Sequence, residues 1–162
     1  MLSKLPDIST QWYNKNDHRL FRSEIAAMNK FFPKAGFGFF KSDGAMYWVL
    51  DLSVDNLGTW RVMVIYDENH PYTGSGSGRD SIFVAPVRPN IREIKQKMID
   101  AGLERKSVPH TYWHKQYGHL LSVINPSDVL DTNHCYTAVS YVLFTERWIR
   151  NFELELQTHM NN

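Results

Sequence analysis

Alternation of apolar and polar positions dominates the first half of the chain. Met46, Trp48, Leu50 and Leu52 alternate with Tyr47, Val49 and Asp51, and Trp60, Val62, Val64 and Tyr66 alternate with Arg61, Met63 and Ile65. A period of two is that of a strand. Asp55-Asn56-Leu57-Gly58 supplies turn chemistry between the runs, so residues 46–52 and 60–66 are expected to form an antiparallel hairpin. A helical period comes before them. Leu20, Phe21, Ile25, Met28 and Phe32 share one side of a helix expected over residues 17–32, with Asp17 as N-cap and Pro33 as its stop. Residues 1–16 read as a polar lead, and 33–46 as a glycine-punctuated connection with a short extended piece at 37–40.

After the hairpin the chain turns over residues 67–72, where Pro71 ends strand pairing. Residues 73–80, TGSGSGRD, lack the Gly-Lys-Ser/Thr ending of a P-loop, and no helix pattern follows. They read as a mobile hairpin loop. A third strand is expected over 81–85, closed by Pro86 and Pro89. Asn90 then caps a helix over 91–101, with Ile91, Ile94, Met98 and Ile99 inward and Gly102 at its end. Thr132 or Asn133 caps a last helix reaching Leu156. Tyr136, Val139, Val142, Leu143, Ile149 and Phe152 mark its buried side, and Glu146, Arg147 and Arg150 its wet side. Consecutive antiparallel strands flanked by helices imply an α+β fold, with helices packed on one face of an antiparallel meander sheet.

One stretch fits neither pattern. Residues 108–130, VPHTYWHKQYGHLLSVINPSDVL, hold three of the seven histidines, too many polar residues for core and too many aromatics for plain loop. The chemistry of the chain is expected there.

Composition narrows the classes. The 162 residues bound one domain, 1–162, with its core over about 17–156. A net charge of +1 without a Lys/Arg run argues against a protein built to neutralise nucleic-acid phosphates. No apolar run approaches a membrane span, and no signal-peptide core is present. A single cysteine, Cys135, cannot form an internal disulfide, which fits a reducing cytoplasm. The aromatic content, 14%, suits a compact aromatic core or an aromatic binding face.

The order of these features resembles the ubiquitin-conjugating enzyme fold, and within it the divergent bacterial versions found in anti-phage operons of the CBASS type. The resemblance spans about 17–156. It rests on a leading helix and antiparallel meander, His70-Pro71-Tyr72, Pro109-His110-Thr111-Tyr112, Gly118-His119-Leu120-Leu121, the turn Asn125-Pro126-Ser127-Asp128, and Arg147-Trp148-Ile149 in the last helix. His110, Gly118, His119 and Leu121 then stand for the family's active-site segment. Leu121 occupies the place of the thioester cysteine, and leucine cannot carry an acyl group. The resemblance implies a non-catalytic, protein-binding module whose partner is a nucleotidyltransferase or a ubiquitin-like protein of the same operon, or else chemistry moved to another residue.

Three chemical alternatives stand beside it. Cys135, next to His134 near the expected start of the last helix, is the one thiol; a helix N-terminus lowers a thiol pKa and an imidazole can act as base. His110, His114 and His119, with His134 and Cys135, form a zinc-ligand set on paper, but no Cys-pair knuckle or HExxH pattern supports it. Ser122, a histidine and Asp128 can be drawn as a hydrolase, without a Gly-x-Ser-x-Gly elbow. Hydrogen-bonded rim histidines and an incidental cysteine are the plainer reading, so no metal and no cofactor are expected. Trp113 and Trp148 are expected to lock the core rather than stack bases.

Overall fold

The computed structural model describes residues 4–15, 18–71, 81–103, 107–124 and 137–161. Its centre is a six-stranded antiparallel sheet: β1 (Gly36–Phe39), β2 (Met46–Ser53), β3 (Thr59–Tyr66), β4 (Ile82–Arg88), β5 (Thr111–His114) and β6 (Gly118–Leu121), in the order β1-β2-β3-β4-β6-β5. The expected hairpin is β2–β3, with Trp48 opposite Val64 and Leu50 opposite Val62. Among the described residues four helices accompany the sheet: α1 (Trp12–Lys15), α2 (His18–Phe31), α3 (Ile91–Asp100) and α4 (Ala138–Met160).

The period of two does the sorting. Trp48, Leu50, Leu52, Trp60, Val62, Val64, Tyr66, Ile82, Val84 and Leu121 turn to one face. Trp12 of α1, Met28 of α2, Ile94 and Met98 of α3, and Val142, Ile149 and Phe152 of α4 complete that core. The opposite face carries a smaller cluster, Ala45, Ile65, Phe83 and Leu120, to which no helix among the described residues contributes. Helices therefore cover one face, as the strand pattern requires. Gly38 is fixed by close approach: a Cβ there would lie 2.6 Å from the Tyr47 hydroxyl.

Several boundaries differ from the sequence reading, each for a local reason. The lead is not merely polar, because α1 carries Trp12 into the core against Tyr66, ring centroids 4.6 Å apart. Strand β4 runs through Pro86 to Arg88. The ladder slips register between Arg61 and Val62, and β6 pairs with β4 only at Val84, so the missing N–H of Pro86 breaks no bond there. Helix α4 starts at Ala138, where Thr137 is extended and its Oγ1 accepts from the Ser140 N–H, and it continues to Met160 because no breaker follows Leu156. Ile99 and Leu143, expected inward, are exposed, since each points away from its helix's buried stripe, Ile94 and Met98 in α3 and Tyr141, Thr145, Trp148 and Phe152 in α4. Asn90 caps α3 as expected, in a full capping box with Glu93. The loop 73–80, the N-cap Asp17, the turn 125–128 and Tyr136 lie outside the described residues.

Candidate functional site

The hairpin β5–β6 holds the segment singled out by the sequence. Gly118, at φ +78°, closes its turn, a conformation that suits glycine. Leu121 pairs with Thr111 on one side and Val84 on the other, and is 2% exposed in the helix-covered core. Its alternate neighbour His119 is exposed and meets the Trp113 ring edge-on at 5.0 Å. Trp113 is 64% exposed, so it does not lock the core as expected; its place on the outermost strand β5, beyond the reach of the helices, leaves it in solvent. Trp148 does belong to the core, stacked on Phe152 at 5.3 Å.

His110 precedes β5 with φ +52°, a strained value for a residue with a Cβ. Two donors hold it there. Its carbonyl accepts from the Ser122 N–H at 2.8 Å and from the Trp148 indole N–H at 3.1 Å. Arg147 donates to the Val123 carbonyl nearby at 3.1 Å. His110, Ser122, Arg147, Asn151 and Glu155 line a notch of about 120 Å³ between β6 and α4. That is smaller than the roughly 300–1,000 Å³ of a ligand pocket.

The three histidines are not a cluster. His110 faces the notch, His119 is paired with Trp113, and His114 lies at the other end of its strand's turn. There its ring stacks on Tyr117 at 4.9 Å and meets Phe83 at 5.0 Å. Among the described residues, no three His, Cys, Asp or Glu side chains are grouped as metal ligands. His134, Cys135 and Asp128 lie outside the described residues.

Two polar assemblies escaped the sequence reading. The first is buried. Glu24, on the core side of α2, is 2% exposed; its Oε2 accepts from the Tyr66 hydroxyl at 2.7 Å and from the Ala138 N–H at 3.1 Å. A carboxylate at the first turn of α4 is favoured by that helix's dipole. The Trp48 indole N–H donates to the Tyr66 oxygen at 2.9 Å. His70, fully buried, lies with Nε2 3.5 Å from Glu24 Oε1 and Nδ1 2.8 Å from Ser81 Oγ. Burial first, and next the Glu24 charge, hold the Tyr66 phenol well above its ordinary pKa. The order Ser81, His70, Glu24 is that of a hydrolase relay, but all three are buried, so a substrate does not reach the serine. The group instead ties α2, the β3–β4 connection and the start of α4 together. A glutamate inside the stripe Leu20, Phe21, Ile25, Met28 was the signal in the sequence.

The second assembly is an open cleft of about 360 Å³ between the turn preceding β2, the turn following β3, and the β5–β6 turn. Asp43, Asp67 and Glu68 line it with Asp7 of the N-terminal segment, and Phe83, His114 and Tyr117 give it an aromatic wall. Asp43 is braced by the Ala45 N–H at 2.9 Å, the Tyr117 hydroxyl at 3.3 Å and the Gln116 amide. Burial raises the Tyr117 phenol pKa, and the charges of Asp43, Asp67 and Glu68 raise it further. In the sequence, Ser42-Asp43-Gly44 and Asp67-Glu68-Asn69 read simply as turn residues; nothing there shows that two turns 24 positions apart converge.

A third concavity, of about 600 Å³ and largely apolar, runs along β1, the edge strand among the described residues, between Leu5, Ile8, Tyr13, Phe39 and Phe40. Phe37 and Phe39 are exposed beside it. The Phe40 N–H bonds inward to Ala45, so by the alternation of an antiparallel ladder Phe37 and Phe39 turn their backbone groups outward.

Among the described residues, no helix is long and apolar enough to cross a membrane. Comparison with known proteins found no matching family model, no matching curated protein and no matching solved structure.

Proposed function

We propose that the chain is a conjugating-enzyme-like module of a bacterial anti-phage defence system, acting in the cytoplasm by binding a protein partner rather than by carrying an acyl group. The observation that carries this reading is Leu121. At the place where the resembled family has its thioester cysteine, the side chain is apolar, buried and paired across two strands. Its successor Ser122 is exposed, but its hydroxyl has no imidazole within hydrogen-bonding distance among the described residues. The element order, a leading helix, a four-strand meander, the histidine-bearing hairpin and a long last helix, supports the same reading. So do exposed aromatics, Phe37 and Phe39, on the edge strand of the described sheet, which suit addition of a partner's strand.

The test mixes the purified chain with a nucleotidyltransferase or a ubiquitin-like protein of such a defence system. Complex formation is expected with wild type and with Cys135→Ala alike, and is expected to fall for Phe39→Asp or Trp113→Asp. A thioester-linked partner trapped on wild type and absent from Cys135→Ala would overturn the reading and assign acyl transfer to Cys135.

A further inference from the structure

We propose that the outer edge of β1 takes an extended segment of the partner as a further antiparallel strand, a segment with apolar side chains at alternate positions and acidic residues at its ends. This deepens the partner-binding reading above and rests on it.

The backbone of β1 is arranged for addition. Among the described residues it is one edge of the sheet, and its inner side is paired with β2. The Phe40 N–H donates to the Ala45 carbonyl at 2.9 Å, which sets the alternation: Phe37 and Phe39 turn N–H and C=O outward. Natural edges are ordinarily protected by a charge or a proline within the strand. β1 reads Gly-Phe-Gly-Phe and has neither. Every neighbouring pair in this sheet is antiparallel, the stronger ladder, so the added strand takes that direction.

Two outward residues offer few backbone bonds, so side chains supply the rest of the affinity. Phe37 lies opposite Trp48 and Phe39 opposite Met46, which puts both rings on the helix-covered face. Phe37 meets Trp48 at 5.5 Å and Phe39 meets Tyr13 at 5.2 Å, yet they stay 56% and 44% exposed. The 600 Å³ groove continues this surface past Phe39 to Leu5 and Ile8. A concavity of about 350 Å³ continues it before β1, at Phe31 and Phe32. A partner residue opposite Phe37 or Phe39 places its side chain on the same face, so alternate residues of the added strand are apolar.

Charge selects the ends. Lys4 and Lys41 line the groove, and Lys34 lines the concavity before β1. All three are exposed, and none forms an ion pair with a described residue. No Asp or Glu lines the groove; Asp7 and Asp43 line the cleft beside Tyr117 instead. Asp51, in the concavity before β1, is held by Arg61 at 2.8 Å. A strand laid here meets cations at both ends, which favours carboxylates there. The same lysines oppose pairing of β1 with β1 of a second copy, because antiparallel self-pairing sets lysine against lysine.

Fluorescence anisotropy on the full chain tests this with the labelled peptide Glu-Glu-Val-Thr-Val-Thr-Val-Glu-Glu, its counterpart with Lys for Glu, and two N-methylated forms of the first. The acidic peptide is expected to bind at least about ten-fold more tightly than the lysine peptide, by a margin that shrinks with salt. N-methylation of the valines, whose N–H groups face β1, is expected to abolish binding; N-methylation of the threonines, whose N–H groups face away, is expected to leave it. Phe37→Asp, and the double variant Lys4→Glu, Lys41→Glu, with circular dichroism confirming the fold, are each expected to weaken the acidic peptide by about ten-fold. No binding of the acidic peptide, equal affinity for the lysine peptide, or equal effect of the two N-methylations would overturn the proposal. So would a wild-type dimer that Phe37→Asp dissociates, which would assign the edge to a second copy. A chain that binds a candidate partner protein but no peptide overturns this inference alone; one that binds the acidic peptide but neither candidate protein overturns the earlier choice of partner alone.

Discussion

The molecule gathers carboxylates in two places and treats them in opposite ways. Under the helices, Glu24 is surrounded by the Tyr66 hydroxyl, the Ala138 N–H and the His70 ring, each brought by a different segment. In the open cleft, Asp43, Asp67 and Glu68 lie near one another with neutral donors and no paired Lys or Arg among the described residues. A buried charge persists only where donors replace its water. A surface group of like charges persists because water screens it, at some cost in mutual repulsion. The first arrangement therefore ties segments of the fold together, whereas the second leaves its carboxylates facing water.

Removing Glu24 is expected to have the largest effect. Glu24→Ala leaves the Tyr66 hydroxyl and the Ala138 N–H without their acceptor, and a loss of about 3–5 kcal/mol is expected in urea denaturation. A loss under about 1 kcal/mol would show that the group does not hold the helices to the sheet. Leu121→Ala should come next, at about 2–4 kcal/mol for a buried leucine between two strands. Leu143→Ala, on the exposed side of α4, should cost under about 0.5 kcal/mol in the same measurement.

The Tyr66 phenol gives a pH test. Its folded pKa is raised well above 10.0, so from the unfolded value upward the native state keeps a proton that the unfolded chain has lost. Its contribution is complete below pH 10 and is lost as pH rises toward the folded pKa, at up to about 1.4 kcal/mol per pH unit. Alkaline unfolding followed in wild type and Tyr66→Phe should show the slope reduced in the variant. An unchanged slope would place the alkaline sensitivity elsewhere, with Tyr117 the next tyrosine to replace.

Replacements in the cleft are expected to act in the opposite direction. Neutralising Asp67 or Glu68 relieves repulsion without emptying core, so thermal melts should show stability unchanged or raised by up to about 1 kcal/mol. A loss of more than about 1 kcal/mol from Glu68→Gln would mean that these carboxylates also serve the fold, and the contrast with Glu24 would fail.

The hairpin β2–β3 was legible because alternation is a local signal: Met46 to Leu52 and Trp60 to Tyr66 show their buried face without knowledge of any partner. The α3 cap was legible for the same reason, since Asn90 and Glu93 satisfy each other within four residues. The position of Leu121 was legible only as a likeness in order; its burial needed Val84 and Thr111 from two other strands.

What the sequence by itself determined is the set of locally encoded elements: α2, the β2–β3 hairpin, α3 and the body of α4, with the buried face of the hairpin and all of the buried stripes of α3 and α4 except Ile99 and Leu143. Tertiary structure alone decided the rest. It set Glu24 beside Tyr66, 42 positions away, and at the start of α4, 114 positions away. It sent His110, His114 and His119 to three surroundings although they are neighbours in sequence. It brought Asp43 to Tyr117 across 74 positions. The physical reason is range. Periodicity and capping act over a few residues, whereas burial and electrostatic field depend on distance in space, which strand order and turn placement fix.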